Sequence, residues 1–177
     1  MGVNRVGGED RGTRVIFDPL FDDVRVPSQA TDASAGYDVH AYLKGRTVTG
    51  HRADGSILEV ALPATDDATL ALPAGATVLV PLGFRARLPV GVEAQLRMRS
   101  SWALRYGLTL PNAPGTIDPD YPDEWMVMMA ASNARGATIR HGDRIAQAVL
   151  ARYERLEWEP GVVRRSTDRD GGLGSTG

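Results

Sequence analysis

The chain has no cysteine among its 177 residues. A disulfide framework, a thiolate metal site and a cysteine nucleophile are therefore excluded. No apolar run comes close to the roughly 20 residues that cross a bilayer, and the first residues, MGVNRVGGEDRGTR, lack the apolar centre of a secretory signal. With 42% apolar and 24% charged residues, the composition is typical of a globular protein. We predict a cytoplasmic protein with one domain.

Lysine is almost absent. Lys44 is the one lysine, so nineteen of the 20 basic residues are arginines. We interpret this excess as codon bias in a GC-rich genome, although arginine also suits bidentate binding of phosphate. The net charge of −2 argues against a general nucleic-acid binder, which is usually basic. We therefore expect neither a nucleic-acid partner nor a membrane partner.

Long helical periodicity is missing too, whereas short apolar segments separated by Gly, Pro and Asp are frequent. The clearest segment runs from Val92 to Met98, where every second residue is apolar. Strands are predicted at 13–17, 36–42, 57–62, 77–82, 92–98, 125–132 and 145–153. A single short helix is predicted after Ser100 and Ser101, where a serine can cap the first turn. The pattern predicts an all-β fold, a jelly-roll-like barrel or sandwich with one short helix.

The predicted domain organisation is a β domain over residues 13–163. Residues 1–12 are expected to be disordered, and the polar, irregular stretch 45–67 is expected to be an insertion on an edge hairpin. The last segment, 164–177, contains only Arg, Asp, Ser, Thr and Gly apart from Leu173. Because such a segment cannot pack a core, we expect a flexible tail, either an idle extension or an arm that wraps phosphate groups.

Five short segments stand out, and they follow one order along the chain. They are AGYDVHA at 35–41, RSSWALRYGL at 99–108, NAPGTIDPDY at 112–121, GDRIAQAVL at 142–150 and RDGGLGSTG at 169–177. Each segment alone is a weak signal. Together and in this order they resemble the five motifs of the trimeric dUTPase family, and the resemblance extends over most of the chain outside the insertion.

The resemblance implies that the chain hydrolyses dUTP to dUMP and pyrophosphate, with Mg²⁺ as the cofactor. It also implies a homotrimer with shared active sites, in which the tail of one chain closes over a site formed by the other two. Hydrolysis of a triphosphate requires a metal, donors for the phosphates, a base for water and a pocket for the nucleobase. The five segments are therefore expected to supply these parts.

Asp118 lies in a turn rich in glycine and proline, from which a carboxylate can face a cleft. It matches the catalytic aspartate of the family, which accepts a proton from the water that attacks the α-phosphate. Considered without the resemblance, an aspartate before a proline is also a common turn former. Asp120 is the weaker candidate for the same role.

The same segment supplies the predicted nucleoside pocket. Tyr121 matches the tyrosine whose ring lies against the deoxyribose and leaves no space for a 2′-hydroxyl, although a tyrosine packed at a strand start is also common. Asn112 matches a residue that helps to read uracil, together with the backbone of a hairpin from Asn112 to Ile117 that includes Gly115 and Thr116. Asparagine is also a turn former, and its spacing does not decide between the two roles.

Three further segments supply the predicted phosphate and metal contacts. The predicted helix is preceded by Arg99, Ser100 and Ser101. Because the first N–H groups of a helix attract anions, these three residues are expected at the α- and β-phosphates. The alternative is a serine that only caps the helix. Gln147 matches a polar residue near the α-phosphate and is predicted to take part in catalysis. Asp38 matches the aspartate that holds Mg²⁺ through water, since Mg²⁺ commonly keeps several waters.

Other polar residues of these segments are predicted to be structural. Asp143 is expected to form a turn, and Arg144 is expected to form an intersubunit ion pair. His40, His51 and His141 do not have the spacing of a metal site, and we interpret them as solvated or turn histidines.

The chain departs from the family pattern in two places. Pro122 and Asp123 stand where the family usually has Arg-Gly. The last segment is one residue shorter than in the family, and a leucine replaces the aromatic residue that stacks on uracil. The tail residues predicted to bind substrate are Arg169, Gly172, Leu173, Ser175 and Thr176.

Two alternative functions remain at this point. A dCTP deaminase shares the fold and an Arg-Ser-Ser segment. Its catalytic glutamate lies in a Thr-Leu-Glu type segment, where this chain has Gly115 to Asp118. A bifunctional deaminase and dUTPase is the third choice. The alternative of another class is a regulatory protein that binds a repressor, for which the stretch 45–67 is available. The intact catalytic motifs favour the hydrolase, with repressor binding as an added function.

Overall fold

The computed structural model describes residues 14–166. The predicted disordered N-terminus at 1–12 and the tail residues 167–177 lie outside the described residues. Within the described range, no helix has the length and the apolar character that a membrane span requires.

Over residues 14–166 the chain forms fourteen β-strands and one short helix. In chain order they are β1 (Ile16–Pro19), β2 (Ser28–Gln29), β3 (Gly36–His40), β4 (Thr47–His51), β5 (Ile57–Ala61), β6 (Thr69–Leu72), β7 (Thr77–Pro81), β8 (Phe84–Arg87), β9 (Val92–Met98), α1 (Ser100–Tyr106), β10 (Leu108–Thr109), β11 (Gly115–Ile117), β12 (Met126–Ala131), β13 (Ala137–Arg140) and β14 (Arg144–Arg152). The predicted all-β class with one short helix is confirmed.

Two five-stranded antiparallel sheets form the body of the fold. The first has the strand order β10-β12-β7-β4-β5, and the second has the order β11-β9-β14-β3-β2. The two-stranded ribbons β1-β8 and β13-β6 complete the strand pairing within the described residues. Because an antiparallel sheet commonly buries one face, alternate residues of each strand enter the core.

The core follows this alternation. In β9, Val92, Ala94 and Leu96 are buried, and the residues between them are half buried. Phe84 and Trp125 pack with their ring centroids 5.3 Å apart. A wholly buried side chain of this size contributes roughly 1.5–3 kcal/mol relative to an exposed one. Burial of these side chains therefore stabilises the packed sheets.

Residues 45–67 are more regular than predicted. β4 and β5 form an antiparallel hairpin at the edge of the first sheet. The stretch is polar because an edge hairpin buries a single face: Val48 and Leu58 are buried, whereas Ile57 is 70% exposed. The expected edge hairpin is therefore present, with more regular strand than its polar sequence suggests, and its origin as an insertion stays a prediction.

The predicted short helix is α1, but it begins differently from the prediction. Ser100 and Ser101 are its first two residues, and its N-cap is Arg99, which makes no side-chain capping hydrogen bond. The expectation of a serine cap is therefore wrong. α1 ends because Gly107 adopts φ 57°, a left-handed conformation that glycine takes at low cost.

The strand predictions succeed where strands are long and alternate regularly. The strand at 92–98 is confirmed residue by residue, and the other six predicted strands are present with ends that differ from the prediction by at most three residues. Seven strands are absent from the predictions, namely β2, β4, β6, β8, β10, β11 and β13. They are two to five residues long, and so short a segment gives a weak period-two signal.

Candidate active site

Asp38 is the centre of a buried ionic cluster. Asp38 as a whole is 2% exposed. Arg144 Nη1 donates to Oδ2 at 3.0 Å, and Gln147 Nε2 donates to Oδ1 at 3.1 Å. The Arg99 guanidinium completes the cluster, with Nε 3.3 Å from Oδ1. Three of the five sequence segments therefore meet at one carboxylate.

The register of the second sheet brings these residues together. β14 lies between β3 and β9, so that Gln147 is opposite Asp38 on one side and opposite Arg97 on the other. Gly36 leaves room for Gln147, because a Cβ at position 36 would lie 3.1 Å from the Gln147 Cβ. A larger residue at this position of the AGYDVHA segment would therefore make the predicted catalytic glutamine shift slightly.

Arg144 is engaged within its own chain. Its guanidinium pairs with Asp38, which the strand register makes possible, and the intersubunit ion pair stays a prediction. Asp143 has the predicted turn role, since its Oδ2 accepts the N–H of Arg140 at 2.8 Å. Two guanidinium groups face the single Asp38 carboxylate, and this excess of positive charge favours an anion nearby.

His40 lies two residues after Asp38 on β3, and its imidazole does not take up a proton readily. Burial lowers its pKa below the ordinary value, and Arg25 is the next largest cause; Arg144 and Arg99 act in the same direction against the opposing Asp38. Within residues 14–166 its buried Nδ1 has no hydrogen-bond partner. The site therefore disfavours a further cation at this position.

A groove beside this cluster is lined mainly by basic and polar side chains. Its volume is about 410 Å³, and we call it the arginine groove. Its lining residues are Arg99, Ser101, Trp102, Arg105, Tyr106, Thr138, Arg140, Asp143 and Arg144. Of the predicted phosphate-binding residues of α1, Ser101 lines this groove, whereas Ser100 is exposed outside its lining.

A second groove contains the predicted catalytic aspartate. Its volume is about 640 Å³, and we call it the Asp118 groove. Its lining residues are Arg87, Leu88, Val90, Asp118, Pro119, Asp120, Tyr121, Pro122, Tyr153 and Arg155. A turn holds the two main candidates together, since the N–H of Tyr121 donates to the carbonyl oxygen of Asp118 at 3.2 Å. Asp118 is exposed and Tyr121 is 38% exposed, so both are accessible to a bound molecule.

The predicted hairpin from Asn112 to Ile117 is wrong. β10 pairs with β12 of the first sheet and β11 pairs with β9 of the second, so the chain crosses between the sheets here. Gly115 and Ile117 are buried while Thr116 is exposed. The Asn112 amide lies over the backbone, and a Cβ at Gly115 would be 3.2 Å from its Nδ2. β11 therefore leads directly into the Asp118 groove.

Among residues 14–166, the two grooves have no lining residue in common. In one chain, Arg99 and Ser101 thus line a different groove from Asp118 and Tyr121. The structure brings together the predicted residues of each groove, but it does not combine the two sets. The predicted tail residues lie outside the described residues; they are Arg169, Gly172, Leu173, Ser175 and Thr176.

A separate charged cluster contributes to neither groove. Asp23, Asp66 and His141 place possible ligand atoms within 4.8 Å of one another. Lys44 lies between the carboxylates, with Nζ 2.9 Å from Asp66 and 3.0 Å from Asp23, and His141 Nδ1 accepts the N–H of Leu43. The hydrogen bonds to Asp66 and Asp23 raise the pKa of Lys44. The ammonium group already supplies the cation, so this cluster is a structural ion-pair network.

Several groove residues are absent from the sequence predictions. They are Arg87, Arg105, Arg140, Tyr153 and Arg155. A signal exists for Arg105, because it follows Ser101 by four residues and therefore shares its face of the helix. The others come from strand ends and loops that are distant in sequence, so no local pattern indicates them.

A family model for dUTPase matches residues 61–177, a range that contains four of the five segments. The chain belongs to the dUTPase family. The resemblance drawn from the five motifs is confirmed, and with it the prediction of an enzyme of the dUTP diphosphatase class.

Two relatives of this dUTPase-family chain have the name deoxyuridine 5′-triphosphate nucleotidohydrolase. The protein of Dinoroseobacter shibae is 37% identical over 165 residues, which are 92% of this chain and 95% of the relative. The protein of Solibacter usitatus is 48% identical over 82 residues, which are 46% of this chain, and the chain spans 56% of that relative's length.

A solved structure shows the same fold. It is a mutant of the dUTPase from phage phi11 of S. aureus, which reveals the coordination of a structural Mg(II) ion in that protein. The TM-score is 0.58 at 15% identity, and the match covers 88% of this chain and 98% of the other. The predicted jelly-roll-like dUTPase fold is thus confirmed.

Proposed function

We propose that this chain hydrolyses dUTP to dUMP and pyrophosphate, by attack of water on the α-phosphate, in nucleotide metabolism. The observation that carries the proposal is the Asp118 groove, where an exposed carboxylate and an accessible tyrosine ring lie three residues apart in one turn. Within residues 14–166 Asp118 forms no ion pair. A carboxylate in this state is available to accept a proton from water as a general base.

The nucleoside is proposed to bind beside this carboxylate. The ring of Tyr121 covers the deoxyribose and excludes a 2′-hydroxyl by its volume. Asn112 and the backbone of Gly115, Thr116 and Ile117 read the uracil edge. Two of these backbone residues are buried in β11, which holds the donors and acceptors in fixed positions. Fixed polar groups of this kind discriminate strongly between bases.

The phosphates are proposed to bind at the arginine groove. Arg99 and Ser101 line the groove, and exposed Ser100 lies next to them on α1. Gln147 is proposed near the α-phosphate, where its amide, tethered to Asp38 at 3.1 Å, helps to orient the reacting group. The tail residues named above are proposed to cover the site.

Mg²⁺ is the proposed cofactor, and Asp38 fits an indirect role better than direct ligation. Oδ1 already accepts a hydrogen bond from Gln147 and Oδ2 accepts one from Arg144, so the carboxylate is committed to cationic and amide donors. A lone pair of Oδ2 remains for a water molecule, and Mg²⁺ usually arrives with phosphates and retains waters. When bound, the ion would offset negative charge on the phosphates.

A homotrimer with shared active sites is the proposed assembly. Since no described residue lines both grooves, the arginine groove of one chain and the Asp118 groove of another would complete one site. Apolar residues near the end of the described range are highly exposed, and such surface commonly marks a contact between chains. They are Leu156 at 71%, Trp158 at 92%, Val162 at 89% and Val163 at 98%.

Other proposals concern the compartment, the substrate and a protein partner. We propose a cytoplasmic location, in keeping with the absence of cysteine.

The dCTP deaminase alternative requires a glutamate where this chain has Ile117-Asp118, which favours dUTP over dCTP. A repressor-type regulatory partner is proposed as an added function, since the β4–β5 hairpin presents an edge strand with exposed Ile57.

The test is an assay of purified protein with dUTP or dCTP, with Mg²⁺ or with EDTA. The proposal expects pyrophosphate from dUTP, no ammonia from either nucleotide and a loss of turnover in EDTA. Ammonia release from dCTP would support the deaminase instead. Light scattering of the same sample gives the molar mass, and a monomeric active enzyme would contradict the shared site.

A further inference from the structure

The arginine groove contains two guanidinium groups that the proposed function leaves without a role. Arg105 lies on α1, one turn after Ser101, and Arg140 is the last residue of β13. Both are exposed and both line the groove. Within residues 14–166 neither guanidinium forms an ion pair or a hydrogen bond, so each is available to an outside ligand.

The charges of this groove do not balance. Of the residues that the structure describes, four arginines line it, and two carboxylates, Asp143 in the lining and buried Asp38 beneath, oppose them. Asp38 lies between Arg99 and Arg144, and Asp143 accepts a backbone N–H. The uncompensated charge is therefore concentrated on the other two arginines. A concave site with an excess of one sign attracts a ligand of the opposite sign, here one with several negative charges.

Arg105 and Arg140 continue the line of proposed phosphate contacts along the arginine groove. Residues four apart on a helix have Cβ atoms roughly 5–6 Å from each other on the same face, so Arg105 is the next group along the groove from Ser101. Arg140 reaches the same groove from β13. A phosphate chain that begins at Arg99 and Ser101 therefore continues toward these guanidinium groups.

We propose that Arg105 and Arg140 bind the terminal phosphate of the substrate and set the preference for a triphosphate over a monophosphate. The inference rests on the proposed function, because it takes the phosphate chain of dUTP as the ligand of the arginine groove. A guanidinium group matches a phosphate with two parallel N–H donors and keeps its charge at any physiological pH. Inorganic pyrophosphate, the released product, is therefore also a ligand of this end of the groove.

The experiment compares Arg105→Gln, Arg140→Gln and the double variant with Arg52→Gln. Arg52 is exposed in the β4–β5 turn and lines neither groove, so the control removes the same charge from elsewhere. Calorimetry measures the binding of pyrophosphate and of dUMP, and kinetics measure kcat/KM for dUTP. Each groove variant is expected to weaken pyrophosphate binding and to lower kcat/KM by roughly tenfold to hundredfold, as for a lost hydrogen bond to a charged group.

Affinity for dUMP is expected to stay at the wild-type value, because the monophosphate does not extend to these residues. Lysine at either position keeps the charge but loses the paired donors, so Arg105→Lys and Arg140→Lys are expected to recover part of the pyrophosphate affinity. Equal losses for dUMP and dUTP would overturn the inference, since a contact with the terminal phosphate leaves the monophosphate unaffected.

The outcomes separate this inference from the proposed function. If the wild type hydrolyses dUTP and the groove variants behave like Arg52→Gln, the inference is wrong and the proposed function stands. If the wild type releases no pyrophosphate from dUTP, the proposed function is wrong, and the pyrophosphate titrations still decide the inference. A less stable assembly with unchanged pyrophosphate affinity would assign the two arginines to a contact between chains and overturn the inference.

Discussion

Arg144 Nη1 lies 3.0 Å from Oδ2 of Asp38, and the two ends of this pair have different surroundings. The Asp38 side chain is 3% exposed, whereas the Arg144 side chain is 52% exposed. A dehydrated carboxylate on β3 thus holds a guanidinium group that reaches the arginine groove. The contact links the core of the second sheet to the proposed phosphate site.

Asp38→Asn is expected to lower the free energy of unfolding by about 2 kcal/mol. Loss of one partner from a wholly buried ion pair costs roughly 3–5 kcal/mol, and the exposure of Arg144 reduces this cost through solvent screening. Urea unfolding at neutral pH measures the change. The control is Asp18→Asn, whose pair with Arg85 is half exposed at both ends and is expected to contribute about 0–1 kcal/mol. Equal costs for both variants would contradict the buried role of Asp38.

His40 is expected to make the folded state less stable in mild acid. Its folded-state pKa is lowered by burial and then by Arg25, so the unfolded chain takes up the proton first. Stability is therefore complete above the unfolded pKa of about 6.5 and falls as the pH drops from there toward the folded pKa. Urea unfolding across this pH range is expected to show a smaller decline in His40→Gln. The same decline in variant and wild type would rule out His40 as the cause.

Asp118→Asn is expected to slow turnover of dUTP by a factor on the order of 10²–10⁴, the usual effect of losing a general base. Substrate binding should be largely retained because the amide has nearly the same volume. Asp120→Asn is the matched control, since it lines the same groove and should retain most of the activity. Pyrophosphate release by Asp118→Asn at the wild-type rate would show that another group activates the water.

In Tyr121→Ala, the ratio of kcat/KM for dUTP to kcat/KM for UTP is expected to fall by up to roughly hundredfold, because pockets that reject one added hydroxyl discriminate by about this factor. Tyr121→Phe keeps the ring and loses only the 3.5 Å hydrogen bond from the hydroxyl to the Glu124 carbonyl oxygen. It should therefore retain the wild-type preference. The ratio of kcat/KM for the two nucleotides measures the effect. A ratio that is unchanged in Tyr121→Ala would disprove the steric explanation.

Deletion after Val163 is expected to leave the fold and the melting temperature unchanged, because residues 164–177 contribute a single apolar side chain, Leu173. Turnover of dUTP is expected to fall by about tenfold or more, since closure of such an arm excludes water and fixes the phosphates. Leu173→Phe adds a ring for stacking on the base, a contact of roughly 1–3 kcal/mol, and should tighten substrate binding. Full activity of the truncated protein would show that the tail is an idle extension.

The sequence by itself determined the family and the fold class. Five segments in one order identify the family because their combination is specific even though each is weak. Alternation of apolar residues from Val92 to Met98 predicts a strand whose ends the structure reproduces. These features are local, since a period of two and a turn residue depend on neighbours in the chain.

The tertiary structure alone decided which residues meet. Asp38 and Arg144 are 106 residues apart, and their contact depends on the register of β14 against β3, which no local pattern specifies. The crossing of the chain between two sheets after β10 replaced the predicted hairpin for the same reason, because pairing partners are chosen by packing of the whole core. The separation of Asp118 from Arg99 into two grooves likewise follows from the positions of strands in different parts of the fold.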